Sequence, residues 1–265
     1  MTGTEPAAQH IDTTRPHPAR VYDWFLGGKD NYPVDEQLAR RITAIDQGAV
    51  RAARANRAFM HRATRALAED GVRQFLDIGT GIPTEPNLHQ IAQSVAPDAR
   101  VVYVDNDPIV LAHAGALLRG TPEGVTEYVQ ADARDPGAIL ERAGRVLDFG
   151  RPVALSLIAL LHFVADEDGA HDVVSELVEA LAPGSCLVLS TMTADFEPEN
   201  VERGIAAYAA GGVTLVARSR DEVAAFFKGL DPLEPGVVPV DEWRREQAPD
   251  GAGPVSLYGA VGRKP

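Results

Sequence analysis

Five short apolar runs, Gln74–Asp77, Arg100–Asp105, Thr126–Ala131, Val153–Ile158 and Cys186–Ser190, are separated by stretches of helical periodicity. No other feature constrains the fold as strongly. Consecutive strands joined through helices run parallel, and a parallel sheet must be covered on both faces. The helical patterns fall at Pro86–Ala96, Pro108–Leu118, Ala138–Arg145 and Gly169–Leu181. Asp107-Pro108 and Asp135-Pro136 read as N-caps with proline at the first helical position. Helices are also expected near Asn200–Ala209 and Asp221–Phe227. Two strand-like runs follow, Val237–Val240 and Val255–Val261, near enough in sequence to pair antiparallel. The expectation is a doubly wound α/β fold: a seven-stranded, mostly parallel sheet with a terminal antiparallel hairpin.

The chain divides into a polar tail over residues 1–12, expected to be mobile, a helical N-terminal cap over 13–70 and the α/β domain over 71–265. Within the cap, Val34–Ile45 reads as a short helix with Pro33 at its start, while the text before it shows no clear period. Gly48–Glu69 is strongly amphipathic. Arg51, Arg54, Arg57, His61, Arg62 and Arg65 share one side, expected to be solvated, and Phe59, Met60, Ala63 and Leu67 share the other.

Composition excludes several classes. A single cysteine, Cys186, forbids an internal disulfide or a multi-cysteine metal site, and no His, Asp or Glu cluster has metal-ligand spacing, so no metal is expected. No apolar run approaches the ~20 residues of a membrane helix, and the start lacks a signal-peptide pattern, so the expected compartment is the cytoplasm. The net charge is −13, with the acidic excess carried after residue 65. An acidic body repels phosphate backbones, which disfavours nucleic acid and leaves a small molecule as the expected substrate. The oligomeric state is not legible.

The chemistry gathers at strand ends. Phe75-Leu76-Asp77-Ile78-Gly79-Thr80-Gly81 is a buried strand that ends in an acid and turns through Gly-x-Gly. Dinucleotide folds usually add a third glycine, where this chain has Thr84. An acid directly before the glycines suits a cationic ligand better than a pyrophosphate. The second run ends at Asp105 and Asn106, placing a carboxylate where it can accept both hydroxyls of a ribose. The third ends at Asp132 and Ala133, where an adenine amino group can be met. Three acids at the carboxyl ends of three successive strands share the edge at which open α/β sheets bind ligands.

These motifs resemble those of class I S-adenosylmethionine-dependent methyltransferases, with Leu181-Ala182-Pro183-Gly184-Ser185 similar to a further motif of that Rossmann-like superfamily. More closely, ARVYDWFLGGKDNYPVD, ANRAFMHRA and QFLDIGTGIPT are similar to hallmark stretches of a bacterial S-adenosyl methyltransferase family formerly catalogued as a domain of unknown function. The resemblance implies a cofactor, S-adenosylmethionine, leaving as S-adenosylhomocysteine. It implies that Asp77, Gly79, Thr80 and Gly81 line its methionine part, Asp105 and Asn106 its ribose, and Asp132 and Ala133 its adenine. Ser156, Leu157 and the residues up to His162 would face the sulfonium and a small-molecule acceptor. His162 is a candidate general base, and the polar turn of Asp30, Asn31 and Tyr32 is expected to fold over the cofactor edge.

Two rival readings stand beside this one. A nicotinamide-dependent oxidoreductase would bind a reduced nicotinamide and not S-adenosylhomocysteine. A non-catalytic regulator would bind the cofactor without transferring its methyl group.

Overall fold

The structure, a computed structural model, describes residues 12–110, 120–245 and 253–265. The expected tail, except its last residue, and most of the expected helix Pro108–Leu118 lie outside them; helical backbone is present at 108–110. Strands β1 (Gln74–Ile78), β2 (Arg100–Asp105), β3 (Val125–Gln130), β4 (Ala154–Ile158) and β5 (Cys186–Met192) pair in parallel. Three more complete the sheet: β6 (Asp231–Pro232), β7 (Val238–Pro239) and β8 (Leu257–Arg263). The order is β3-β2-β1-β4-β5-β8-β6, with β7 also on β8, and β8 runs antiparallel to β5. Both β6 and β7 pair with the edge of β8 that β5 leaves open, so the two together fill one place and the sheet has seven positions. Pro232, Pro235 and Pro239 supply no ladder N–H, which keeps that edge short and broken. The expected terminal hairpin is the β7–β8 pair.

Strand alternation divides the core. Leu76, Ile78, Val102, Val104, Leu155 and Leu157 point to one face. Phe75, Val101, Tyr103, Ala154 and Val188 point to the other. By the same period Asp77 shares Phe75's face. The first face is covered by α5 (Pro136–Ala143), α6 (Ala170–Glu179) and α8 (Arg220–Ala225), the second by α3 (Ala49–Glu69) and α4 (Leu88–Val95). Helix α4 starts at Leu88, two residues inside the expected span, because Asn87 and Gln90 form a reciprocal capping box there. Helix α5 starts at the expected cap, with Asp135 Oδ1 accepting from the Ala138 N–H at 3.0 Å.

Two N-terminal helices complete the cap, α1 (Pro18–Leu26) and α2 (Pro33–Ile45). Helix α1 was not expected. Its local signals are Pro18 at the first position and His17 as N-cap, whose Nδ1 accepts from the Ala19 N–H at 3.3 Å. Val21 and Phe25 bury against Leu38, Ala39 and Ile42 of α2 and against Ala207 and Tyr208 of α7 (Pro198–Ala210). Burial of each of those two side chains contributes roughly 1.5–3 kcal/mol, enough to hold a nine-residue helix that could not stand alone.

The basic face of α3 departs from its expected solvation. Arg62 donates to the backbone oxygens of Trp243 at 2.8 Å and Val240 at 2.6 Å. Arg51 donates to the Gly253 oxygen at 2.5 Å, and His61 Nε2 lies 2.9 Å from the Pro86 oxygen. Only Arg54 and Arg65 of this set are exposed. The stripe is a row of long donors that ties loop carbonyls to the helix, where backbone acceptors need partners.

Candidate functional site

The carboxyl ends of β1 to β4 open onto one cavity of about 520 Å³. Asp77, Gly79, Thr80 and Gly81 line it from the first strand, Asp105 and Asn106 from the second, and Asp132 and Ala133 from the third. All eight residues selected from the three strand ends therefore meet in one space.

The turn after β1 is held by its backbone. Gly79 and Thr80 donate their N–H groups to the Val104 oxygen at 2.8 and 3.2 Å, which fastens the turn to β2. Gly79 has φ +75°, a conformation that favours glycine, and a Cβ there would lie 2.7 Å from Leu160 Cδ1 and force that side chain to shift. Gly81 N–H donates to Asp105 Oδ2 at 2.7 Å, and Asp107 N–H donates to Oδ1 at 2.9 Å. An ionised carboxylate offers about four lone-pair directions, so Asp105 keeps two for a ligand. Asp132 is half-exposed and accepts from Arg134 through both oxygens, at 2.9 and 2.6 Å. Those bonds hold its carboxyl below the usual range.

Asp77 is 7% exposed, and burial pushes its carboxyl up to about 6 although the Ser156 and Thr80 hydroxyls and the Arg57 charge pull it down. A carboxyl raised in the folded state stabilises the fold below its unfolded value and loses that contribution as pH rises through the folded one. The difference corresponds to about 3 kcal/mol. In the ligand-free protein, Asp77→Asn is expected to match wild type near pH 4 and to be about 2–3 kcal/mol more stable above pH 7. Urea denaturation at the two pH values checks this; equal stability at both contradicts it.

The cap supplies residues that sequence reasoning missed. His17, Arg20 and Tyr22 line the cavity from the start of α1, and Asn56 and Arg57 from α3. Arg20 is 4% exposed and lies between two buried acids, 3.3 Å from Asp107 and 3.5 Å from Asp35. That network joins α1 and α2 to the loop that follows Asp105. Arg57 donates through Nη2 to the Thr84 and Pro86 oxygens, while its Nε is enclosed without a partner. No carboxylate lies within ion-pair distance of it among the described residues. Burial lowers its affinity for the proton; the nearby Tyr22 and Asp77 oppose this. The signal was its place in the Arg57–His61 register above the Gly-x-Gly turn, masked by the apparent polarity of the whole stripe.

A buried polar chain sets the floor. Ala159, just after β4, has φ +54°, a conformation costing a residue with a side chain roughly 1–2 kcal/mol. Its N–H donates to the Ser190 oxygen at 3.1 Å and to Ser190 Oγ at 3.0 Å. Ser190 Oγ donates to Asn56 Oδ1 at 2.6 Å, Asn56 Nδ2 to the Tyr22 hydroxyl at 3.0 Å, and that hydroxyl to the Ala53 oxygen at 3.0 Å. The strained residue thus lines the cavity on a fully bonded frame.

Other expected residues lie elsewhere. Asn31 Nδ2 donates to Asp23 Oδ2 at 2.8 Å and to the Gly28 oxygen, and Asp30 N–H donates to the same Asp23 oxygen at 3.0 Å. A Cβ at Gly28 would sit 1.9 Å from Asp23 Oδ1, so this polar turn is built around Asp23 and does not line the cavity. Tyr32 stacks under Arg20, with 5.4 Å between guanidinium and ring, and packs beside Ile82, Ile109 and Val110. Ser156 is buried next to Asp77, and Leu157 points into the opposite core. His162 is 5% exposed, and burial together with the Arg218 charge lowers its imidazole to about 3. Burial that disfavours the charged ring makes it a weak proton acceptor, which argues against a general base there.

The S-adenosyl methyltransferase family profile matches residues 4–265. The fold matches the crystal structure of a DUF574 family protein from Streptomyces avermitilis with a TM-score of 0.94 and 50% identity, covering 97% of this chain and all of that one. A Thermobifida fusca protein named as a candidate methyltransferase matches with a TM-score of 0.88 and 39% identity over 96% of each chain. A SAM-dependent methyltransferase from Anabaena variabilis shares the fold at 15% identity, with a TM-score of 0.51 over 72% of this chain and 77% of that one. No curated protein matches. No described helix is long and apolar enough to cross a membrane. The chain belongs to the S-adenosyl methyltransferase family, and it is a methyltransferase dependent on S-adenosylmethionine.

Proposed function

We propose that the cavity at the carboxyl ends of β1 to β4 is the cofactor site, and that the methyl group goes from there to a small-molecule acceptor. The observation that carries this reading is the meeting of Asp77, Asp105 and Asp132 with the Gly79–Gly81 turn around one space. The residues fit the cofactor part by part. Asp105 has two free lone-pair directions for the two ribose hydroxyls, and Asn106, Asp132 and Ala133 stand where the adenine would lie. Asp77 answers the ammonium of the amino-acid tail, and Arg57, a half-buried cation without a carboxylate partner among the described residues, answers its carboxylate.

When bound, the cofactor supplies a methyl group on a positively charged sulfur. The chain's part is to orient and to exclude water. Leu160 and Phe163 line the cavity with apolar surface, and Asp105 and Arg57 fix the two ends of the ligand. Positioning and dry walls supply most of the acceleration such a displacement needs. The acidic net charge of −13 favours a small acceptor over a polyanion. Incubating the protein with methyl-labelled cofactor and a metabolite extract tests the reading. Label is expected to move to a small molecule; label that never leaves the cofactor, across extracts, contradicts it.

A further inference from the structure

A second pocket, of about 100 Å³, lies against the cofactor cavity. Pro18, Tyr22, Ala159 and Phe163 line both spaces and form the wall between them. Its surface is chiefly apolar, with Phe25, Ile42, Met192 and Leu215 facing in. Among the described residues no lysine or arginine lines it. Its one carboxylate, Asp46, already accepts from the Gly48 N–H at 2.7 Å. Arg218, whose charge acts on His162, is tied to the Leu161 and Val164 oxygens at 2.7 and 2.8 Å and to Asp166.

Two side chains that line this pocket, neither of them on the shared wall, have hydrogen-bonding atoms without a partner. His162 Nδ1 is fully enclosed with no partner. Tyr208, 7% exposed, makes no hydrogen bond through its hydroxyl among the described residues. Buried polar atoms normally find partners, and an enclosed ring nitrogen together with an unbonded tyrosine hydroxyl lining the same apolar pocket points to a ligand that provides one. Size narrows the ligand further. An apolar cavity of about 150 Å³ admits benzene. This pocket, at about 100 Å³, is smaller than that, but it borders the larger cavity, which leaves room for one ring with its reactive edge towards the shared wall.

We infer that this pocket is the acceptor subsite and that it takes a small uncharged aromatic molecule bearing one hydroxyl or ring N–H. The inference rests on reading the main cavity as the cofactor site. In the transfer, a lone pair on the acceptor's oxygen or nitrogen forms the bond to the methyl carbon. The carbon–sulfur bonding pair stays on sulfur and cancels its charge, and the acceptor's proton passes to water. His162 and Tyr208 are positioning residues that hold the acceptor's polar group. An anionic acceptor is disfavoured because no cation in the pocket meets it.

The test uses 4-fluorophenol and 4-fluorobenzoate as probes, followed by fluorine NMR, on protein with and without S-adenosylhomocysteine. Gly204 of α7 lines the pocket, and a Cβ there meets nothing within 4 Å. Gly204→Leu therefore fills the pocket, and leucine suits a helix better than glycine. Wild type is expected to bind the phenol, with the benzoate weaker by about tenfold or more. The leucine variant is expected to lose about tenfold or more for the phenol while keeping its S-adenosylhomocysteine affinity. Equal phenol binding by the variant, or benzoate binding that matches phenol, overturns the inference. Failure of wild type to bind S-adenosylhomocysteine sinks the cofactor reading instead; the probe comparison on unloaded protein then still decides the pocket.

Discussion

Asp105→Ala is expected to weaken S-adenosylhomocysteine binding by about 100-fold, the loss of two hydrogen bonds to a charged acceptor at roughly 1.5 kcal/mol each. The side chain has a second task, because it also accepts from the Gly81 and Asp107 N–H groups. Asp105→Asn separates the two tasks in part. The amide keeps one oxygen for Gly81 or for a hydroxyl, so its loss is expected to be about tenfold. Isothermal titration calorimetry measures both variants, with thermal unfolding as a check that the turn still folds. A loss under about threefold for the alanine variant contradicts a ribose contact at this residue.

Arg57→Met is expected to split two ligands that differ only at one end. S-Adenosylhomocysteine carries the amino-acid tail, and 5′-methylthioadenosine lacks it. Loss of a charge-assisted contact to the tail carboxylate corresponds to roughly 1.5–3 kcal/mol, about 10- to 100-fold for the first ligand. The second is expected to bind within about twofold of wild type. The comparison is needed because Arg57 also holds the Thr84 and Pro86 oxygens. Damage to that loop would weaken both ligands alike, which is the result that contradicts a tail contact. Arg57→Lys keeps the charge without the planar fork, and an intermediate loss is expected.

Asp77, Asp105 and Asp132 were legible because strand ends are marked by local pattern: an apolar run, an acid and a glycine turn. Parallel register then brings such ends to one edge, since Asp77 pairs with Tyr103 of β2 and Ser156 of β4. Arg57 was not legible as a site residue. Its stripe on α3 has the polarity of a solvated face, and only the three-dimensional path of the 84–86 loop shows that its side chain is enclosed.

The cap shows the same limit in another form. Helix α1 spans only nine residues, too short for its period to stand out from the irregular text around it, and is held by tertiary burial of Val21 and Phe25 against α2 and α7. The polar turn after it was expected at the cofactor edge because polarity between apolar elements suggests a ligand. Its partner is internal, since Asp23 takes the donors of Asp30 and Asn31. Residues of this segment that do reach the cavity, His17, Arg20 and Tyr22 among them, come from the start of α1 and the chain before it. His162 illustrates burial that sequence cannot report: a histidine in the loop after a strand reads as a base, yet enclosure disfavours its charged form. Ala159 is a further case, because nothing in the text Ile158-Ala159-Leu160 signals a left-handed residue held by Ser190.

The arrangement as a whole makes functional sense of a cost. Asp77 is buried in its charged form above pH 6 and weakens the unliganded fold, which a cationic ligand would relieve by satisfying the charge. A crystal structure of the protein grown with S-adenosylhomocysteine tests the central claim most directly. The prediction is that both ribose hydroxyls lie within hydrogen-bond distance of the Asp105 carboxylate, with the tail ammonium on Asp77 and its carboxylate on Arg57. A ligand bound away from the carboxyl ends of β1 to β3, or a cavity that stays empty at saturating ligand, would contradict it.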